Sequence, residues 1–455
     1  MYQKNYHIHF VGIGGIGMSG IAELLLHLGY KVSGSDLKLS HITRRLEENG
    51  GIIFQGHRKE QVAGASVVVT SSAISRENPE VIHAKALSVP IIPRAEMLAE
   101  LMRIKYSIAI SGAHGKTSTT SMISQILNTA GLDPTVIIGG LLKGLDTNSL
   151  HGKGEYIVAE ADESDGSFLK YSPAIAVVTN IDLEHLDFYK DIEDIKDKFV
   201  QFINSVPFYG LAILCLDNEH IQNILPRIKV RFTTFGMTAQ SDLQAREISF
   251  KGSKSFFKVF HNEKCLGEIN LNIAGKHNIS NALASIATGI ELNISFKIIK
   301  KALEMIEGVK RRLEFKGEKK GITIMDDYGH HPTEIMATLT AIRESYKEKR
   351  LIVVFQPHRY TRTKGLFHEF TRSFYQSDTL IVLPIYAASE EKIEGVTAQH
   401  LCEAIREHGH KDVSYAPDFT QALSMISHKA RKGDMVLTLG AGDIYTLGDK
   451  LIEIL

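Results

Sequence analysis

Short apolar runs alternate with segments of helical periodicity along most of the chain. In the first hundred residues, apolar runs predict strands at 9–11, 31–35 and 66–70. Helical spacing of apolar residues predicts helices at 18–28, 80–86 and 95–102. Because parallel strands need a long crossover between them, usually a helix, this alternation favours a parallel sheet.

The same alternation returns twice further along the chain. Strands are predicted at 106–110, 156–159, 175–179 and 211–215, with helices at 117–130 and 278–292. Short strands with turns at 232–269 predict a small β-rich edge. In the last third, strands are predicted at 323–326, 351–355, 380–383 and 435–439, with a helix at 332–343.

Three domains follow from these alternations and from the length of the chain. The chain has 455 residues, and one domain takes roughly 150 residues. Prolines at 90 and 93 interrupt the first alternation, and the second ends near Gly308. We therefore predict an α/β protein with domains at 1–104, 105–308 and 309–455, the central one carrying the β-rich edge.

Composition narrows the class of protein. Lysine plus arginine and aspartate plus glutamate both number 52, so the formal net charge is zero and bulk binding of nucleic acid is not expected. Cys215, Cys265 and Cys402 are far apart and lack CxxC spacing, which indicates a reducing compartment such as the cytoplasm. No run of eighteen apolar residues predicts a membrane helix, and residues 1–10 have no leader pattern.

A glycine-rich loop follows the first predicted strand and opens the first predicted helix. Gly12, Gly14 and Gly17 fit the pattern GxGxxG, and Asp36 ends the next strand about twenty residues later. In this context the loop binds a diphosphate at a helix N-terminus, and the acid binds a ribose. A dinucleotide or UDP-like ligand is indicated. A tight turn without a ligand remains the alternative.

A second loop carries the strongest signal for nucleotide chemistry. The segment SGAHGKTSTT, 111–120, lies between a predicted strand and a predicted helix. Gly112 and Gly115 allow a phosphate cradle, Lys116 suits the β- and γ-phosphates, and Thr117 offers a hydroxyl for Mg²⁺. The loop is shorter than the general P-loop because Ile110 stands where a glycine is expected. We predict a nucleoside triphosphate site in a P-loop-type central domain.

Acidic residues follow two further strands of the central domain. Glu160, Asp162, Glu163 and Asp165 follow one strand, and Asn180, Asp182, Glu184 and His185 follow the next. Ligands of open parallel sheets bind at the carboxyl ends of strands, so these segments and 111–118 are expected to converge. Mg²⁺ prefers oxygen ligands and bridges phosphates. An acidic loop in water is the alternative for the first cluster.

Polar clusters near the second boundary and in the last domain add candidates. His277, Asn278 and Asn281 start a helix, where amides can bind adenine or ribose, although helix capping by Asn278 is an equal alternative. The last domain gathers five basic or titratable residues after two strands: His330, His331, His358, Arg359 and Arg362. Arginine suits carboxylate and phosphate groups. Zinc is not expected, because no cysteine or HxxxH partner is near.

The motifs taken in order resemble the Mur ligase family, and within it the alanine-adding branch. The resemblance covers nearly the whole chain through HFVGIGGIGMSGIAE, SGAHGKTSTT, EADESDGSFL, TNIDLEHLD, GKHNISNALA, GVKRRLE, DDYGHHPTEI and QPHRYTRT. It implies Rossmann-like N- and C-terminal domains around a central ATPase domain. It also implies ATP-dependent ligation of L-alanine to the lactyl carboxylate of UDP-N-acetylmuramate through an acyl phosphate, a cytoplasmic step of peptidoglycan synthesis.

The resemblance also assigns residues to each ligand. ATP would be bound by Gly112, Ala113, His114, Gly115, Lys116, Thr117, Ser118, His277, Asn278, Asn281 and Arg312. The UDP-sugar would be bound by Gly12, Gly14, Gly15, Ile16, Gly17, Asp36 and Ser72. Mg²⁺ would be held by Thr117, Glu160 and His185, and the catalytic set would be Lys116, Glu160, His185, His330, His331, Arg359 and Arg362. One departure is Glu184, where the family pattern has aspartate.

Alternatives of other kinds remain at this point. A murein-peptide recycling ligase of the same superfamily would attach a whole peptide to the same sugar nucleotide. A nicotinamide dehydrogenase would explain the GxGxxG loop but leave the GKT loop unexplained. A nucleotide-binding sensor without turnover would keep the ATP loop. For the ligase we expect a monomer or homodimer that closes its domains on its substrates.

Overall fold

A computed structural model of the protein describes residues 6–71, 73–138, 149–185 and 188–454, without the side chains of Ile16 and Ser149. The chain divides into two compact units. One comprises Met1–Gln244, His261–Glu263 and Asn281–Ala302; the other comprises Ala245–Phe260, Lys264–Ser280 and Leu303–Leu455. No helix in the described part of the chain is both long and apolar enough to cross a membrane.

The first unit begins with a parallel five-stranded sheet of order β3-β2-β1-β4-β5. Its strands are β1 His7–Val11, β2 Lys31–Asp36, β3 Ile52–Gln55, β4 Val67–Thr70 and β5 Ile91–Pro93. Its helices are α1 Ile16–His27, α2 His41–Glu48, α3 Pro79–Ala86 and α4 Arg94–Met102, with a 3₁₀ turn at Lys59–Val62. Strand β1 is buried along its whole length, which agrees with a strand covered on both faces.

A second sheet of the first unit has the order β12-β11-β10-β6-β9-β7-β8. Its strands are β6 Tyr106–Ser111, β7 Thr135–Ile137, β8 Ser149–Leu150, β9 Tyr156–Glu160, β10 Ile175–Val178, β11 Leu211–Cys215 and β12 Phe232–Gly236. Its helices are α5 Lys116–Thr129, α6 Ile192–Ile203 and α7 Glu219–Ile224, with 3₁₀ turns at Ser167–Lys170 and Leu225–Arg227. All these neighbours pair in parallel except β7 and β8.

The β-rich segment predicted at 232–269 is confirmed. After β12 it contains β13 Leu243–Lys251, β14 Lys254–His261 and β15 Lys264–Leu271, which neighbour one another in the order β15-β14-β13. Two helices follow, α8 Lys276–Glu291 and α9 Phe296–Glu304.

The second unit also contains a six-stranded sheet of order β16-β17-β21-β18-β19-β20. Its strands are β16 Glu314–Lys319, β17 Ile322–Asp327, β18 Leu351–Phe355, β19 Thr379–Val382, β20 Val413–Tyr415 and β21 Met435–Leu439. Its helices are α10 Pro332–Ser345, α11 Tyr360–Gly365, α12 Phe367–Arg372, α13 Ala398–Glu407, α14 Phe419–Lys429 and α15 Tyr445–Ile454. Only the pair β16 and β17 is antiparallel among the pairs of this sheet.

Helices cover both faces of this last sheet, and β18 shows why. Leu351, Val353 and Phe355 pack in one apolar cluster, whereas Ile352 and Val354 pack in the other. Successive side chains of a strand point to opposite faces, so an all-apolar strand needs cover on both. The predicted α/β class with mostly parallel sheets is confirmed, and the carboxyl ends of the parallel strands carry the polar loops described next.

Candidate active site

The loop between β6 and α5 has the backbone geometry of a phosphate cradle. Gly112 and Gly115 both have positive φ, at 134° and 83°. A side chain at Gly112 would collide with Thr179, and one at Gly115 would lie within 2.5 Å of the Asn281 side-chain oxygen. Glycine is needed at both places for conformation and for space. Helix α5 then begins at Lys116, so its first N–H groups are available for an anion.

Residues after β10 hold this loop from one side. The His114 N–H donates to Asn180 Oδ1 at 2.8 Å, and its carbonyl accepts from Thr179 Oγ1 at 2.6 Å and Asn180 Nδ2 at 2.9 Å. The His114 ring contacts Asp182 at 3.0 Å between Nε2 and Oδ2. The predicted convergence of 111–118 with 180–185 is present in the structure, because β10 and β6 are neighbours.

Lys116 is bound by a carboxylate from the third converging segment. Its ammonium donates to the Gly112 carbonyl at 2.6 Å and to both Glu163 oxygens at 2.8 and 3.0 Å. Burial raises the pKa of Glu163 to about 7, although Lys116 opposes that shift. Burial disfavours the charge of Lys116, but Glu163 and Asp162 outweigh it and raise the pKa of the ammonium. Lys116 therefore stays charged where a phosphate would enter.

Two carboxylates and one imidazole form a candidate metal group beside Lys116. One ligand atom from each of Glu163, Glu184 and His185 lies within 4.8 Å of the others. The His185 Nε2 lies 3.8 Å from Glu163 Oε1 and 3.8 Å from Glu184 Oε2. His185 adopts a positive φ of 56°, which a non-glycine residue rarely does. The two carboxylates suit Mg²⁺, which prefers oxygen ligands, and His185 is the member of this group that was predicted to hold it.

The other predicted metal ligands lie at the same strand ends. Glu160 is the last residue of β9 and pairs in register with Ile110 of β6, directly before the phosphate loop. Thr117 is the second residue of α5, and Ser118 beside it is buried. Glu163 was not among the residues predicted to act. Its place in the acidic segment was the available signal, but its pairing with Lys116 depends on the neighbouring positions of β9 and β6.

The glycine-rich loop of the first sheet is fastened by the end of β2. The Ser35 carbonyl accepts from the Gly12 N–H at 2.8 Å and the Ile13 N–H at 2.9 Å. The Asp36 carboxylate accepts from the Gly14 N–H at 2.9 Å. Asp36 therefore shapes the loop, and its contact with a ribose stays a prediction.

The remaining predicted residues of this loop are placed as follows. Gly15 is the N-cap of α1, Ile16 is its first residue, and Gly17 lies in its first turn against Arg94. Ser72 lies outside the described residues.

In the segment 277–281, Asn278 is not the cap of α8, which begins at Lys276, and contact of this segment with adenine or ribose stays a prediction. Asn278 is buried, and its side-chain amide donates to the Ala274 carbonyl at 2.7 Å, which is a local role at the helix start. Asn281 is buried with its side-chain oxygen beside Gly115 of the phosphate loop. Burial, and next Arg312, lowers the pKa of His277 to about 4, so its ring is neutral near pH 7 and can accept a hydrogen bond.

Histidines and arginines meet after β17 and β18 in the second unit. The His330 and His358 ring centroids are 5.7 Å apart, and the His358 Nδ1 lies 3.2 Å from the Arg362 guanidinium. Burial, followed by His330, Arg362 and Arg359, lowers the pKa of His358 to about 3. Arg359 has a positive φ of 70° and precedes α11. The two arginines suit an anionic group, and the Glu390 carboxylate already lies 4.0 Å from Arg359 Nε.

The adjacent histidine has a different position. His331 is buried and caps α10, because its Nδ1 accepts from the Thr333 N–H at 3.3 Å. The His330 Nδ1 lies 3.1 Å from the Tyr328 carbonyl. Arg312 is paired with Glu334 at 3.1 Å and lies over the Tyr328 ring, 5.3 Å from its centroid. Tyr328 and Glu334 contact Arg312 but were not predicted from the sequence as site residues.

Family models match successive parts of the chain. The model of the Mur ligase family catalytic domain matches residues 7–106, that of the Mur ligase middle domain matches 110–289, and that of the Mur ligase glutamate ligase domain matches 311–442.

Curated relatives and solved structures agree with these matches. The UDP-N-acetylmuramate–L-alanine ligase of Desulforapulum autotrophicum is 70% identical over 455 residues and covers 100% of both chains. That of Desulfatibacillum aliphaticivorans is 59% identical and covers 99% of both. Among solved structures, the UDP-N-acetylmuramate–alanine ligase of Thermotoga maritima is similar with a TM-score of 0.80 and 27% identity over 98% of both chains. The murein peptide ligase of Psychrobacter arcticus has a TM-score of 0.68 and 26% identity over 99% of this chain and 98% of its own. The chain belongs to the Mur ligase family.

Proposed function

We propose that this protein ligates L-alanine to the lactyl carboxylate of UDP-N-acetylmuramate at the expense of ATP, giving UDP-N-acetylmuramoyl-L-alanine, ADP and phosphate. The observation that carries the proposal is the charged Lys116 in a glycine cradle, with acidic residues beside it at neighbouring strand ends. The 70% identity with a curated ligase of this specificity over the whole chain supports the choice of substrates.

The phosphate loop and the acidic segments would bind ATP and its metal. Gly112 to Ser118 would hold the phosphates, with Lys116 on the γ-phosphate and Asn281 beside the loop. Thr117, Glu160 and His185 would hold Mg²⁺, and Glu163 and Glu184 add negative charge at the same place. When bound there, Mg²⁺ would supply positive charge that offsets the negative charge of the phosphates. The longer Glu184 in place of aspartate would still reach this group.

The reaction would proceed in two steps, formation of an acyl phosphate and its attack by the amine. A lactyl carboxylate oxygen attacks the γ-phosphorus, the bond to the bridging oxygen breaks, and ADP leaves. The alanine nitrogen then attacks the acyl carbon, and the carbon–oxygen bond to phosphate breaks as the amide forms. Lys116 would neutralise charge on the transferred phosphoryl group, because positioned cations stabilise such transition states.

The second unit would supply residues for the amino acid and for proton transfer. Arg359 and Arg362 suit a carboxylate, which arginine binds with two parallel hydrogen bonds. The alanine ammonium must lose a proton before it attacks, and His330 is the candidate acceptor. His331 was also predicted to act; its capping position gives it a way to support the loop that carries His330. His277, Asn278 and Arg312 remain candidates for the adenosine part of ATP.

The proposal includes an assignment of domains and surroundings. Residues 1–104 would bind the UDP-sugar, 105–308 would bind ATP, and 309–455 would bind the amino acid. The reaction would take place in the cytoplasm as a step of peptidoglycan synthesis, with the protein acting as a monomer or homodimer. The ligase names of the curated relatives support the place in peptidoglycan synthesis.

A murein-peptide recycling ligase is the second candidate, because a ligase of that class has a similar fold at 26% identity. The decisive assay measures phosphate release from ATP and Mg²⁺ with UDP-N-acetylmuramate, with and without L-alanine, together with the product mass. Release that needs both substrates, with a product heavier by one alanyl residue, is expected. Release only with a longer peptide would move the chain to the recycling class. A complete absence of release would favour a nucleotide sensor.

A further inference from the structure

Arg94 lies against the glycine-rich loop although it belongs to a later part of the first domain. It follows β5 directly and is the first residue of α4. A Cβ atom placed on Gly17 would contact the Arg94 guanidinium and lie 3.0 Å from Cζ and 3.2 Å from Cδ. The third glycine of the GxGxxG pattern therefore leaves space for an arginine side chain, which covers the first turn of α1.

Arg94 adds a cation at the N-terminus of α1, where the Asp36 carboxylate already accepts from the Gly14 N–H. A helix N-terminus carries about half a positive charge, and the first turn of α1 has no acidic residue to balance it. Within the described part of the chain, the ion pair of Arg94 is with Asp162 at 4.0 Å, a separation that contributes little between partly exposed groups. The Arg94 side chain remains 30% exposed, so solvent or a ligand can reach it.

Asp162 connects Arg94 with the acidic segment beside the phosphate loop. It stands two residues after Glu160 and immediately before Glu163, whose carboxylate binds Lys116. Arg94 is thus a cation that lies against Gly17 of the proposed UDP-sugar loop and 4.0 Å from Asp162, which precedes Glu163 beside the proposed ATP loop.

We propose that Arg94 binds an oxyanion of the sugar nucleotide, either its diphosphate or its lactyl carboxylate. This inference rests on the proposed function and adds a residue to it. Arginine offers a planar pair of donors that fits both groups, whereas lysine offers only a point charge. A bound oxyanion would also add negative charge beside this cation and the N-terminus of α1.

Binding measurements on substituted proteins separate these sources. We would prepare Arg94→Gln and Arg94→Lys, with Arg103→Gln as a matched control, because Arg103 follows the same helix and pairs with the exposed Glu100. Dissociation constants for UDP, UDP-N-acetylglucosamine, UDP-N-acetylmuramate and ATP with Mg²⁺ would be measured by calorimetry. Thermal unfolding would establish that each variant is folded.

Arg94→Gln is expected to weaken UDP-N-acetylmuramate binding by roughly 10- to 100-fold, the usual loss for a charge-assisted hydrogen bond, and to leave ATP binding within about twofold. Arg94→Lys should recover part of the loss, and Arg103→Gln should bind as the wild type does.

If Arg94 holds the diphosphate, UDP and UDP-N-acetylglucosamine lose as much affinity. If it holds the carboxylate, only UDP-N-acetylmuramate does. Unchanged binding of all three uridine ligands, or an equal loss for ATP, overturns the inference. A wild-type protein that binds no uridine ligand overturns the proposed function itself.

Discussion

Lys116 and Glu163 form the closest pairing of opposite charges at the candidate site, with N–O distances of 2.8 and 3.0 Å. If the Lys116 ammonium binds the γ-phosphate in place of this carboxylate, removing it removes a cation that stabilises the phosphoryl group during transfer. We expect Lys116→Met to lower phosphate release roughly 100- to 1000-fold. The steady-state rate would be measured at saturating ATP. Lys170→Met, which removes an exposed partner of Glu96, should keep the wild-type rate. A comparable loss in both variants would contradict the role of Lys116.

His330 and His331 are adjacent but differ in what holds them. His331 caps α10, and asparagine is also a good cap. We expect His331→Asn to keep most of the rate and the stability, whereas His331→Ala should lose about 1 kcal/mol of unfolding free energy.

His330→Asn should lower the rate roughly 100-fold if His330 accepts the proton from alanine. Turnover and urea unfolding would be measured for all three. A full rate in His330→Asn would remove that residue from the mechanism.

At the scale of elements, Glu80 at the start of α3 anchors the end of β2. It is fully buried, accepts from Ser35 Oγ at 2.6 Å, and lies 3.2 Å from the His57 ring nitrogen. Ser35 in turn holds the glycine-rich loop through its carbonyl. We expect Glu80→Ala to cost roughly 1–3 kcal/mol of unfolding free energy, because the buried Ser35 hydroxyl and the His57 ring each lose one partner and keep only their contact with each other among those described.

The same substitution should weaken binding of uridine nucleotides while ATP binding stays unchanged, since the loop loses its support from β2. Urea unfolding and calorimetry of both ligands would measure the two effects. Glu77→Gln, three residues earlier and exposed, is the matched control and should change neither. A variant of Glu80 that unfolds like the wild type would show that the buried carboxylate does not support this strand.

The elements that the sequence predicts best are those buried on both faces. β18 is a continuous apolar run, β21 is apolar except for Thr438, and every residue of both is buried, so their composition marks them as strands. Short elements give no such signal: β20 has three residues, and α11 has six with two arginine or lysine side chains. Their formation depends on tertiary packing, which overrides local preference.

Some parts of the candidate site could likewise be predicted from the sequence, and others could not. The glycine loops and the acidic segments are contiguous in sequence and could be predicted from strand and helix context. The partners of Lys116 and Gly17 could not, because Glu163 is 47 residues from Lys116 and Arg94 belongs to a different helix from Gly17. Those contacts require the strand order β10-β6-β9 and β1-β4-β5, which the sequence pattern does not specify.

At the scale of the whole molecule, folding lowers the pKa of some buried groups and raises the pKa of others. In the second unit the pKa of His277 is about 4 and that of His358 about 3, mainly because burial disfavours the charged rings. Burial raises the pKa of Glu163 in the first unit to about 7 and that of Asp327 in the second to about 6. Because the pKa of each acid is raised by folding, its contribution to stability increases as the pH falls toward the pKa of the unfolded state. The contribution of the histidines changes in the opposite direction. A single curve of stability against pH therefore mixes both signs.

A difference between variants isolates the histidine contribution. A lowered pKa in the folded state means that stability is fully present above the unfolded value of about 6.5 and is lost as the pH falls toward the folded value. Between pH 7 and pH 5 the wild type should therefore lose roughly 1–2 kcal/mol more than His358→Asn, whose side chain does not titrate. Urea unfolding at the two pH values would measure this difference. His428→Asn, on the exposed side of α14, should lose as much as the wild type. Equal losses in the wild type and in His358→Asn would mean that the ring, despite His330 and Arg362 beside it, is not held neutral by the fold.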